Sequence, residues 1–214
     1  MRSLEIFRIW EEVFGGRERL IRVLPVQSGN AGVIRGVCGF REAHRHADAM
    51  ATAPYMPYTV GRGRLADPAL VVEMAGWSVE RVLDHFEAHA FSNALHQMEG
   101  DKALADEYGL AMIAYEGGQH MVAMLRDAKL VQAIATTMHA ANRHPRMGGL
   151  YRPYFARWRE LGGGTFCHFS SVGGWSNHGA WGLAEYYDST PADSPKLAAL
   201  LETAAAWGQP VARP

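Results

Sequence analysis

Hydrophobic and polar positions sort the chain into four short apolar runs separated by stretches of helical period. The first run, RLIRVLPVQ (19–27), is aliphatic and β-branched and ends at Gln27. The second, DAMATAPYM (48–56), ends on Pro54, Tyr55 and Met56. The third, LAMIAYE (110–116), ends on Tyr115 and Glu116 and is followed by Gly117 and Gly118. The fourth, GTFCHFSS (164–171), begins at the end of the Gly162-Gly163-Gly164 run. Short apolar runs bounded by turn residues predict buried strands.

Helical spacing fills the intervals. Residues 1–16 place Ile6, Phe7, Trp10, Val13 and Phe14 on one side, with charged residues between them, and lack the unbroken apolar core of a signal peptide. Within 78–109, Val82, Leu83, Phe86, Ala90 and Ala94 recur at three- and four-residue spacing, predicting one or two amphipathic helices. Ser78 opens this stretch as a partial capping box, with Arg81 where a glutamate is usual. AKLVQAIATTMHAAN and MGGLYRPYFARWREL predict two more helices with Pro145 between them. A last helix over 194–208 has Pro195 in its first turn and Gly208 at its end.

Strands alternating with helices predict an α/β fold with a parallel sheet. The stretch 57–77 is the expected long loop near a site. The chain opens on a helix, and only four strands follow. A (β/α)8 barrel has eight strands and about 250 residues. The pattern is therefore that of the second half of such a barrel, a single partial domain over 1–214.

Composition narrows the function. Apolar residues make up 48% of the chain, enough for a real core, and the formal charge of −1 comes without a basic block. Phosphate backbones need a clustered positive face, so nucleic acid is not an expected partner. No apolar run reaches membrane-spanning length, so a membrane is not one either. Cys38 and Cys167 are too few for a disulfide framework and are expected to be buried thiols. The compartment stays open.

RIWEEVFGGRERLIRVLPVQSGN, ADAMATAPYM, MIAYEGGQH and GGWSNHGAWGLAEYYDSTPADSPKLAALL together resemble the C-terminal half of clan A retaining glycoside hydrolases. The likeness extends to bacterial proteins of this type that are often labelled cellulose-binding. It implies a (β/α)8 TIM-type fold of which this chain supplies strands five to eight. It also implies that Glu116 falls at the nucleophile position and that Trp175 or Trp181 falls at an aromatic platform for sugar. The strand-four Asn-Glu pair of the family is absent from this chain. A complete parent protein of this kind is compatible with secretion.

Retaining hydrolysis needs two carboxyl groups about 5 Å apart. Glu116, at the end of a parallel strand, stands where barrel enzymes keep their sites, and the glycines beside it permit close approach. A helix cap or an arginine partner is the alternative role for it. Tyr115 is expected to pack. Gln119 and His120 are candidates to bind sugar hydroxyls or to hold the carboxylate, and Gln27 and Tyr55 are strand-end candidates for substrate contact. Loop 170–187 is rich in Trp, Tyr, Ser, Asn and His, which suits the apolar faces and polar edges of sugars. Trp175, between Gly174 and Ser176, is the preferred platform, whereas Trp181 and Tyr186 are expected to pack the closing helix. The ten histidines form no compact zinc signature, GRGR (61–64) is no phosphate loop, and no GxSxG elbow occurs, so no metal or cofactor is expected.

Four parallel strands alone leave both outer strands unpaired. The expected remedies are a missing N-terminal half, a second copy closing the barrel with both Glu116 residues in one lumen, or a flattened open sheet. Three functions follow: a glycosidase half bearing its nucleophile, a non-catalytic carbohydrate-binding protein, or an open α/β protein binding another small molecule.

Overall fold

The computed structural model describes residues 2–211. They form a mixed α/β structure of eight α-helices and five short strands, all paired in parallel, with no closed barrel among the described residues. None of these helices is long and apolar enough to cross a membrane. Contacts divide the chain into two compact units.

The first unit holds residues up to Pro54 together with His96–Gly117 and Trp158–Cys167. Its sheet runs β1 (Val23–Pro25), β2 (Ala49–Thr52), β4 (Ala111–Ala114), with Val23 beside Ala49 and Ala49 beside Ala111. The 164–167 segment continues the sheet. Gly164 N–H donates to the Met112 carbonyl at 2.8 Å, Ala114 N–H to that of Thr165 at 2.9 Å, and Cys167 N–H to that of Ala114 at 3.0 Å. Four parallel segments thus lie side by side in chain order. All four β2 residues are buried, and the small Ala49, Ala51 and Thr52 beside Met50 suit a strand covered on both faces.

Helix α1 (Arg2–Phe14) leads into β1, and α2 (Ala31–Gly39) with a 3₁₀ segment (Phe40–His46) links β1 to β2. Arg22 ties the start of the sheet to Glu11 and Asp48 at 3.0 and 2.8 Å, and this holds the Asp48 carboxyl below its ordinary range. None of the α1 residues is buried: Ile6, Ile9, Trp10, Val13 and Phe14 all face solvent. In α5 (Ser92–Glu107), Asp101 is buried. It accepts from Ser28 Oγ (2.6 Å), Gly29 N–H (2.9 Å) and Thr52 Oγ1 (2.8 Å), three donors that offset the cost of burying a carboxylate. Gly163 is required by packing, because a Cβ there would lie 2.3 Å from the Trp158 ring, whose Nε1 donates to the Gly164 carbonyl.

The second unit holds Tyr55–Leu95, Gly118–Arg157 and residues from His168 onward. Strands β3 (Met56–Val60) and β5 (Gln119–Ala123) pair in parallel with Met56 beside Gln119. Around them are α3 (Pro68–Met74), α4 (Val79–Phe86) with a π-wound turn after it (Glu87–Phe91), α6 (Ala128–Arg143), α7 (Pro145–Glu160), whose last turn belongs to the first unit, and α8 (Pro195–Ala206). Tyr58, Leu83, Phe86, Met138, Tyr151 and Tyr154 are central to the core.

Four expectations change here. The run over 48–56 is two strands, interrupted at 53–55, where Pro54 has no N–H to give to a ladder. The expected loop over 57–77 begins as β3 and then enters a 3₁₀ turn (Gly63–Leu65) and α3. After 110–116 comes a further strand, β5, that the run did not foretell. Cys38 is buried as expected, whereas Cys167 is exposed on the last segment of the first unit's sheet.

Candidate functional site

In the first unit, the carboxyl ends of the parallel segments carry Gln27, Thr52, Glu116 and Cys167. Glu116 is half-buried just beyond β4, and the N–H of its neighbour Tyr115 donates to the Thr52 carbonyl at 3.1 Å. Tyr115 is 47% exposed rather than packed, because it falls beyond the last ladder residue. Its phenol is pushed up from the ordinary value, by burial first and then by the Glu116 charge. Gln27 is exposed, and its side-chain oxygen accepts from Asn30 Nδ2 at 3.1 Å. It therefore braces the cap of α2.

In the second unit, the Gly118–Gln119 backbone is gripped from α7. Gly118 N–H donates to the Tyr154 hydroxyl at 3.2 Å and Gln119 N–H to the Tyr151 hydroxyl at 2.9 Å. Gly118 has φ +127°, and a Cβ there would stand 2.5 Å from His168 Nε2, so only glycine fits. His168 Nε2 lies 3.1 Å from the Tyr151 hydroxyl, and burial holds its pKa down to about 3, so the ring is neutral. Gln119 is buried with both amide ends engaged: Nε2 donates to the Ala180 carbonyl and Oε1 accepts from Met121 N–H, each at 2.7 Å. Its role here is structural.

His120 has different surroundings. Its ring lies 5.5 Å from Tyr55, edge-on, and 5.9 Å from Trp181, which in turn meets Phe169 at 6.2 Å. Thr59 Oγ1 is 3.4 Å from His120 Nδ1. Tyr55, His120 and Trp181 are half-buried and Phe169 is exposed, so this ring cluster reaches the surface.

Trp175 lies elsewhere in the same unit. The Arg143 guanidinium sits 4.6 Å and the Lys196 ammonium 5.0 Å from its ring centre, with His139 at 5.8 Å. Arg143 also pairs with Glu185, and Lys196, almost wholly buried, donates to the Ala180 carbonyl at 2.7 Å. Burial lowers the Lys196 pKa to about 7, with the Glu185 charge opposing.

Of the residues singled out from sequence, the structure brings Tyr55 and His120 together. It joins to them Trp181, which was expected to pack, and Phe169, which was not singled out. The aromatic wealth of the loop was the available signal. Comparison of the chain with protein-family models, with curated proteins and with solved structures returns no match.

Proposed function

We propose that the chain is of glycosidase-barrel lineage, the strand-five-to-eight half of a (β/α)8 fold, and that it takes a carbohydrate. The observation that carries this is the surface-reaching cluster of Tyr55, His120, Trp181 and Phe169, with Thr59 at its polar edge. Aromatic rings match the C–H faces of a sugar, and the imidazole, the hydroxyls and the indole N–H serve its edges. The order of the parallel segments supports the barrel part, because it runs in one direction without the reversal of a doubly wound sheet.

In this reading Glu116 is the retaining nucleophile, and the acid/base comes from outside this chain. Binding without turnover is the companion reading. Closure of the barrel would cover the outer edge of β1 and the exposed apolar face of α1, with strands from a second copy or from a longer polypeptide. Calorimetric titration with cello-, xylo- and manno-oligosaccharides tests the proposal. One panel member is expected to bind, to bind Glu116→Gln about equally, and to lose affinity with Trp181→Ala. Hydrolysis of an aryl glycoside that Glu116→Gln abolishes would favour the enzyme over the binder. Failure of every oligosaccharide to bind would overturn both.

A further inference from the structure

His85 closes α4 and His89 sits one turn later, inside the π-wound segment Glu87–Phe91. Their ring centres are 4.2 Å apart with planes inclined by 49°. Both line an open hollow of about 450 Å³ together with Trp77, Glu73 and Asp84. His85 is not a free rotor, because its Nδ1 lies 2.9 Å from the hydroxyl of the buried Tyr58, and the Trp77 ring is 5.2 Å away. None of these groups takes part in the carbohydrate reading.

We propose that His85 and His89 form a two-histidine chelate for a first-row divalent cation of the borderline kind, with nickel, copper and zinc as its class. Residues four apart on a helix are neighbours on one face, and paired imidazoles at this spacing are a recurrent metal-binding element. A metal bound at 2.0–2.1 Å by two imidazoles in near-tetrahedral geometry sets the ring centres roughly 5 Å apart. The observed separation is within about 1 Å of that, and His89, which is exposed, can supply the adjustment by side-chain rotation.

Tyr58 supplies the orienting partner that metal-bound histidines need. With Nδ1–H donated to its oxygen, His85 turns its Nε2 lone pair to the metal. Burial above all, and then the electrostatic effect of His89 and Arg81, lower the His85 pKa, a direction that favours the neutral, ligating form. Acids outnumber bases at this place: Glu73, Asp84 and Glu87 stand against Arg81 and Arg146, with which they pair. Among the described residues no three or more His, Cys, Asp or Glu side chains gather as a metal cage. Water completes the coordination, so the site is open and exchangeable, and nickel and copper are held more tightly than manganese or iron.

Titration of the full chain with nickel chloride at about pH 7.5, read by calorimetry and by quenching of tryptophan fluorescence, tests this. One equivalent is expected to bind, with quenching because Trp77 adjoins His85. His89→Ala, an exposed change, is expected to weaken binding by about tenfold or more, and His85→Asn likewise. The His44→Ala/His46→Ala double variant leaves it unchanged. Absence of nickel binding, or full affinity retained by His89→Ala with unchanged circular dichroism, would overturn the proposal.

Discussion

Six positions separate Trp175 from Trp181 in the long loop after the last sheet segment, and the two indoles meet different chemistry. Trp175 has the Arg143 guanidinium and the amine of the buried Lys196 close to its ring, whereas Trp181 has a histidine and an exposed phenylalanine. A cation near an aromatic face is attracted by the ring quadrupole and occupies the approach a ligand would use. Availability of a ring is thus decided by what the fold puts beside it, and flanking small residues such as Gly174 and Ser176 do not report on that.

The largest expected effect tests the Trp175 side through its buried lysine. The Lys196 amine, ordinarily at 10.5, is held at about 7 in the folded chain. Between those values the unfolded chain binds more protons, so stability rises with pH from about 7 toward 10. At about 1.4 kcal/mol per pK unit the rise is on the order of 3–4 kcal/mol, and Lys196→Met flattens it in urea melts at a series of pH values. Truncation comes next: Trp175→Ala is expected to cost about 3 kcal/mol of stability while changing oligosaccharide affinity less than about twofold. Trp181→Ala has the reverse profile, with an affinity loss of about tenfold, or ~1.4 kcal/mol, and a smaller change in melting temperature. An affinity loss from Trp175→Ala as large as that from Trp181→Ala would erase the distinction. The smallest effect is that of Arg143→Ala, under about 1 kcal/mol, because its side chain is 49% exposed and its charge is shared with Glu185.

Much of the element order was legible, because helices and buried strands leave different periods. All four apolar runs lie in the parallel segments, and Ser78 does cap α4 through Arg81 N–H. The continuation of the strands was not legible. Pro54 and Gly117-Gly118 read as ends, and Pro57 with the GRGR run hid the alternating burial of β3. Long-range partners were not legible either. Asp101 sits in a polar-looking helix stretch, yet its partners Ser28 and Thr52 are far away in sequence. The same holds for Lys196, which reaches Trp175 and Ala180 across the loop. The His85/His89 spacing was in plain view, but the Tyr58 hydroxyl that gives it meaning lies on another element. Glu116 was placed at a strand end by pattern, and it stands just beyond β4.

The two tyrosine hydroxyls on α7 that hold Gly118 and Gln119 set a clock. Both amide protons point at buried phenol oxygens rather than at a strand or at water, and both phenols are pushed well above their ordinary pKa by burial. Neither proton can exchange with solvent until Tyr151 and Tyr154 withdraw, which removes the centre of the second unit's core. Deuterium uptake at these two positions should therefore track unfolding of that whole core, although glycine-rich turns ordinarily exchange within the dead time of such experiments. Exchange at Gly118 and Gln119 as fast as in an ordinary turn would show that the two hydroxyls do not hold it closed.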